Sequence, residues 1–134
     1  MIFELLKEIE KEVNRDEYIS YGASYFLSVE DLKFRITDIN SLEQLFVKLE
    51  ADIEETSVNP TEITDRSVDF QTINDLWHIK DEIADKLMNI ISGADAYYRL
   101  FDKDDVISRG NVNDIFRVLK KGDELVMIEF YACD

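Results

Sequence analysis

Few of the residue types that usually advertise chemistry occur in this chain. Cys133 is the only cysteine, so no disulfide can form within the chain and nothing points to an oxidising compartment. His78 is the only histidine, and neither it nor Cys133 sits in a motif that pairs a nucleophile with a base. His78 reads as a surface residue and Cys133 as a strand-end residue. Gly22, Gly93, Gly110 and Gly122 are the only glycines and stand apart from one another, which excludes phosphate-cradling loops of P-loop or dinucleotide type. No apolar run approaches the ~20 residues of a membrane span. The opening residues, MIFELLKE, are acidic and amphipathic and lack the basic and then apolar regions of a signal peptide, so the chain is read as cytoplasmic. Asp102, Asp104 and Asp105 begin like a calcium loop, but Ile107 stands where glycine is needed and Asn113 where a bidentate glutamate belongs. That segment reads as a solvated turn.

Acid is what the chain has in excess. Thirty Asp and Glu face fifteen Lys and Arg, a formal charge of −15 on 134 residues. Solubility of a small domain asks for a magnitude of only about 2 to 8. The excess is uneven: Leu49 to Asp65 holds six acids (Glu50, Asp52, Glu54, Glu55, Glu62, Asp65) and no base. Such a field repels nucleic acid and anionic lipid and steers basic proteins into contact. With 46% apolar residues the chain is hydrophobic enough to fold as one domain around one core despite its charge.

Periodicity places the elements. Phe3, Leu6, Ile9 and Val13 recur at helical spacing over residues 2–14. Tyr25, Leu27 and Val29, then Leu32, Phe34 and Ile36, alternate as in half-buried strands. Asn40-Ser41 caps a helix over 41–55 carrying Leu42, Leu45, Phe46, Leu49 and Ile53. Thr56 to Asp69, with the sole proline Pro60, reads as a surface loop. Thr72 then caps a long helix with the stripe Ile73, Leu76, Trp77, Ile83, Leu87 and Ile90, stopped at Ser92-Gly93. Residues 97–102 form a strand. Asn111 caps a helix with Val112, Ile115, Phe116 and Leu119 that ends at Gly122, and Leu125 to Ala132 form a strand buried on both faces. This order predicts an α/β domain with a small, mostly parallel sheet and a right-handed final strand–helix–strand unit.

On the long helix, Asn74, Asp75, His78, Asp81, Glu82 and Asp85 lie three, four or seven residues apart, opposite Ile73, Leu76 and Ile83. Asp81 and Asp85 are like charges one turn apart, and Lys86 beside Glu82 offsets part of their repulsion. Trp77 at the edge of this stripe reads as core, with the alternative of an interface anchor.

Three segments carry a family resemblance. Ile39-Asn40-Ser41-Leu42-Glu43-Gln44-Leu45, then Ile73-Asn74-Asp75-Leu76-Trp77, then Ile115-Phe116-Arg117 followed by Lys121-Gly122-Asp123-Glu124 and an apolar strand, occur in the order seen in the barstar family. That family comprises acidic intracellular inhibitors that protect a bacterium from its own secreted ribonuclease. The resemblance covers residues 32–132. It implies a three- to four-stranded, mostly parallel sheet packed with about four helices, with residues 1–31 as an N-terminal helix and extension and 32–134 as a barstar-like core. The chain departs from the family at two sites: His78 stands where an Asp follows the tryptophan, and Asn74 where the family has another helix acid.

The function this implies is that of an immunity protein, like those of contact-dependent inhibition and other polymorphic toxin systems. It would occlude a basic toxin domain, a nuclease, with Glu54, Glu55, Glu62, Asp65 and Asp69 of the loop and Asn74, Asp75, Trp77, His78, Asp81 and Glu82 of the helix. Under this reading the chain is a monomer with no catalytic activity, cofactor or metal, and it touches neither nucleic acid nor membrane. The alternative is a phage-type nucleic-acid mimic that inhibits a DNA-binding protein.

Overall fold

Residues 112–133, expected as a helix followed by a strand, are two long strands joined by a hairpin, and the architecture follows from that pair. The computed structural model describes residues 1–15, 18–20, 23–32, 58–101, 106–109 and 112–133. Among these residues the elements run α1 (Ile2–Arg15), β1 (Tyr18–Ser20), β2 (Ala23–Asp31), β3 (Val58–Glu62), α2 (Arg66–Trp77), α3 (Asp81–Gly93), β4 (Ala96–Phe101), β5 (Ile107–Arg109), β6 (Val112–Lys121) and β7 (Glu124–Cys133). The strands form one seven-stranded sheet in the order β1-β2-β7-β6-β4-β3, with β5 also paired to β6. Every pairing in it is antiparallel. The mostly parallel, barstar-like sheet is therefore not the sheet present, and no right-handed crossover closes the chain. Three helices, rather than about four, occur among the described residues.

β6 was misread because both of its faces are buried. Ile115 and Leu119 face the helices while Phe116 and Val118 face the other way, and all four are buried, so the alternation that marks a strand is absent. What is left, apolar residues at steps of 3, 1 and 3, mimics a helix. The β-branched and aromatic content of the segment was the discriminating signal. Gly122, read as a helix stop, is the first central residue of the hairpin turn between Lys121 and Glu124, with φ 58. A positive φ there is what a primed turn requires. Its N–H donates to Asp95 Oδ2 at 2.7 Å, which ties the turn to the start of β4.

The single long helix is two helices. His78 takes a left-handed conformation (φ 52, ψ 47), where its N–H donates to the Asn74 carbonyl at 2.7 Å. Asn74 Oδ1 accepts from the Ile79 N–H at 2.8 Å, so one residue closes the C-terminus of α2 from both its backbone and its side chain. The first of the two helices starts earlier than expected. Asp65 caps it through Val68 N–H at 3.2 Å, while Thr72 Oγ1 bonds back to the Val68 carbonyl at 3.0 Å. The expected loop thus holds the edge strand β3, which tolerates Pro60 because an edge needs no donor there, and the start of α2. Leu76, assigned to the apolar stripe, is exposed. The strand expected over 32–36, beyond Leu32, and the helix expected over 41–55 lie outside the described residues.

α1, β2, β4 and β7 occur where periodicity put them. α1 and β2 are built into the sheet and core: β2 pairs with β7 from Ser24↔Cys133 to Asp31↔Val126, and Leu6 and Ile9 of α1 join the same buried cluster as Phe70, Ile73, Trp77 and Phe130. Beyond the short β1 pairing, the outer edge of β2 is closed by α1 side chains. Asn14 exchanges hydrogen bonds with the Leu27 backbone at 3.0 Å each, and Glu10 Oε2 accepts from Val29 N–H at 2.7 Å. An otherwise open strand edge is thereby sealed. Leu6→Ala is expected to cost roughly 2–5 kcal/mol in a urea melt, the range for truncating a buried leucine, against the small change expected of a peripheral extension.

Candidate functional site

The acids proposed from the sequence fall into two groups that the sequence could not separate. Asp69 points inward from α2 onto the sheet. Its Oδ2 accepts from Arg117 Nε at 2.9 Å and from the Tyr97 hydroxyl at 2.6 Å, and its Oδ1 accepts from Arg117 Nη2 at 2.8 Å. Arg117 is 1% exposed, and its remaining Nη1 donates to the Phe116 carbonyl at 2.9 Å. A bidentate pair of this kind holds a buried guanidinium that could not otherwise remain charged. Burial first, and the Asp69 carboxylate after it, push the Tyr97 hydroxyl pKa well above the ordinary phenol value. Asp69 is thus committed to joining α2 to β4 and β6.

Glu62, Asp65, Asp75, Asp81 and Glu82 are exposed. Asp75 accepts from Gln71 Nε2 at 2.8 Å along α2, and Asp81 and Glu82 occupy the first turn of α3, where the helix dipole favours them. Because the chain breaks at His78, the acids before and after it do not lie on one helix face. They are carried instead by two helices packed against each other. Of the bases in this layer, Lys80 and Lys86 are exposed and Arg66 is half-buried. Arg66 Nη1 donates to the carbonyls of Ile91 at 2.6 Å and Ala94 at 2.8 Å at the end of α3, and Lys86 pairs with Glu12 of α1 at 3.3 Å. Glu54 and Glu55 lie outside the described residues.

Two depressions lie at the α2–α3 corner. Trp77 is buried, with its indole N–H donating to the Tyr131 carbonyl at 3.1 Å and its ring meeting Tyr25 and Phe130 edge-on at centroid distances of 5.9 and 6.3 Å. It belongs to the core. Its outer edge, with Val13, Tyr25, Ile79 and Ile83, lines an apolar pocket of about 40 Å³, with His78 and Lys80 at the rim. Beyond Lys80 an open depression of about 650 Å³ is lined by Glu12, Arg15, Asp81, Glu82 and Lys86. Asn74, on the polar side in the sequence reading, serves as the helix stop described above.

Chemically the corner suits binding: an apolar recess beside carboxylates. Among the described residues no cluster of His, Cys, Asp and Glu is arranged to hold a metal ion, and no helix is long and apolar enough to cross a membrane. Sequence reasoning missed Tyr25 and Ile79 as lining residues and Arg117 as the partner of Asp69. The signal for Arg117 was a charged residue within an otherwise apolar, β-branched run. No family model matches the chain, and no curated protein matches it.

Two outcomes test the inward group. Asp69→Asn, which strands Arg117, is expected to cost roughly 3–5 kcal/mol by chemical denaturation, more than the double replacement Asp69→Leu with Arg117→Met. Tyr97 has its folded pKa raised above the unfolded value near 10, so its contribution is complete below about pH 10 and is lost as pH rises further. Stability measured from about pH 8 to about pH 11 should fall in the wild type and fall less steeply in Tyr97→Phe.

Proposed function

We propose that the chain is an inhibitory binding protein of the immunity type, which covers the active surface of a basic toxin domain, a nuclease, with the exposed acids of α2 and α3. The observation that carries this reading is the balance of charge in that layer: Asp65, Asp75, Asp81, Glu82 and Asp85 are exposed, while Arg66 is tied to the end of α3, Lys86 is paired with Glu12, and Lys80 is an exposed base among them. Carboxylates so placed can stand in for substrate phosphates, and their desolvation is favourable only against Arg and Lys on the partner. The apolar pocket beside Trp77 and Ile79 offers an anchor point amid the acids, as interfaces commonly combine a small buried anchor with a polar rim. The reading draws nothing from the barstar resemblance, whose parallel sheet the chain does not have.

The test is to express this chain in cells together with candidate basic nuclease toxin domains, any encoded beside its gene first, and to measure protection. Reversal of Asp75, Asp81 and Glu82 to Lys should abolish protection and lower the association rate by roughly 10-fold or more at low salt. The fold should be unaffected, since exposed substitutions usually change stability by about 0.5 kcal/mol. Glu12 is unsuitable as a control because it pairs with Lys86 and lines the same depression as Asp81. Glu8, paired with Lys11 on the exposed side of α1, is suitable. Protection that survives the triple reversal and is lost in Glu8→Lys would overturn this site.

A further inference from the structure

One row of residues crosses the helix-facing side of the sheet. Val29 of β2 stands opposite Ile128 of β7, Ile128 opposite Arg117 of β6, Arg117 opposite Arg99 of β4, and Arg99 opposite Thr61 of edge strand β3. Directly opposed residues on antiparallel strands share a face with Cβ atoms about 4.5–5.5 Å apart, and like charges there are destabilising. Two arginines therefore oppose each other on this face, and Asp69 of α2 pairs with one of them, Arg117. That carboxylate is spent: both oxygens of Asp69 are taken by Arg117, and one also accepts from Tyr97.

Among the described residues Arg99 takes part in no ion pair, and its Nε–H is buried without an acceptor. A buried donor left unmet costs about 1–3 kcal/mol, more when charged. In a chain with thirty carboxylates, an unpaired and half-buried guanidinium beside a second one is the reverse of what the composition favours. The rest of the row also constrains what can approach. Arg99 is half-buried, and Thr61, opposite it on edge strand β3, is exposed.

We propose that Arg99, with Thr61 beside it, is a binding site for a single carboxylate. The guanidinium fork matches the two oxygens of a carboxylate, and the ligand would supply the counter-charge that the Arg99–Arg117 pair lacks. A more highly charged anion meets the field of the −15 chain, with Glu62 and Asp65 exposed just beyond Thr61, and is disfavoured. Polyphosphates and nucleic acid are excluded on the same ground.

The test uses the full chain and begins with sodium acetate. The Arg99 Nε–H, being shielded from water, exchanges slowly and is observable in nitrogen–proton correlation spectra. Its resonance should move saturably with acetate and not with sodium chloride at equal ionic strength. Arg99→Lys should weaken acetate binding by about tenfold, since charge remains but the fork is lost, and Arg99→Gln should abolish it. A blocked peptide with one glutamate distinguishes the source: binding tighter than acetate assigns the site to a polypeptide carboxylate, and equal binding assigns it to a small free one. No saturable movement with acetate in the wild type overturns the proposal, whether or not the variants fold. Inorganic phosphate binding as tightly as acetate overturns it too.

Discussion

Arg117 carries a positive charge between the sheet and its helices, and it can stay there only if a carboxylate comes with it. Asp69 is that carboxylate, and the two-pronged contact fixes where α2 lies over β6 and β4. From this follow the inward aim of Ile73 and Trp77, one and two turns along the same face, and the outward aim of Asp75. The helix stop at His78 then swings the chain into α3, whose Ile83, Leu87 and Ile91 complete the cover of the sheet. An apolar pair of equal volume would pack as well, but it would not fix the rotation of α2 about its own axis through directed bonds.

The same economy explains why a net charge of −15 is compatible with folding. Basic side chains are used where they also neutralise backbone or carboxylate groups at element ends: Arg66 at the C-terminus of α3, Lys121 on the Gly93 carbonyl at 2.9 Å, Lys7 with Glu10 at 2.9 Å. Acids are used the same way at helix starts, Asp65 for α2 and Glu124 for α1, where it accepts from the N–H groups of Ile2 and Phe3 at 3.3 Å each. What remains after these pairings is acid facing solvent, the raw material of a surface that attracts a basic partner. Arg99 is the exception to this arrangement, which is why it is informative.

Two elements with one wet face, α1 and β2, were legible from sequence. The stripe Phe3, Leu6, Ile9, Val13 and the alternation Tyr25, Leu27, Val29 report a boundary between core and water, and that boundary is what periodicity measures. β6 has no such boundary, and α2 and α3 share an apolar stripe that continues in register across the break at His78. No glycine or proline marks that break; a histidine in the left-handed region does, held by Asn74. Of the candidate site, the exposure of Asp75, Asp81 and Glu82 could be read from their positions opposite apolar residues. The inward turn of Asp69 could not, because its partner lies 48 residues away.

By itself the sequence determined the acidity of the chain, the lack of a glycine-rich loop and of an apolar run of membrane-span length, and the identity of α1 and β2, since each is a property of composition or of local spacing. Tertiary structure alone decided the antiparallel order of the sheet, the strand nature of residues 112–121, and which carboxylates serve the fold and which face outward. The physical reason is the same in each case. Burial on both sides erases local pattern, and the partner of a buried charge is chosen by contacts between residues far apart in the chain.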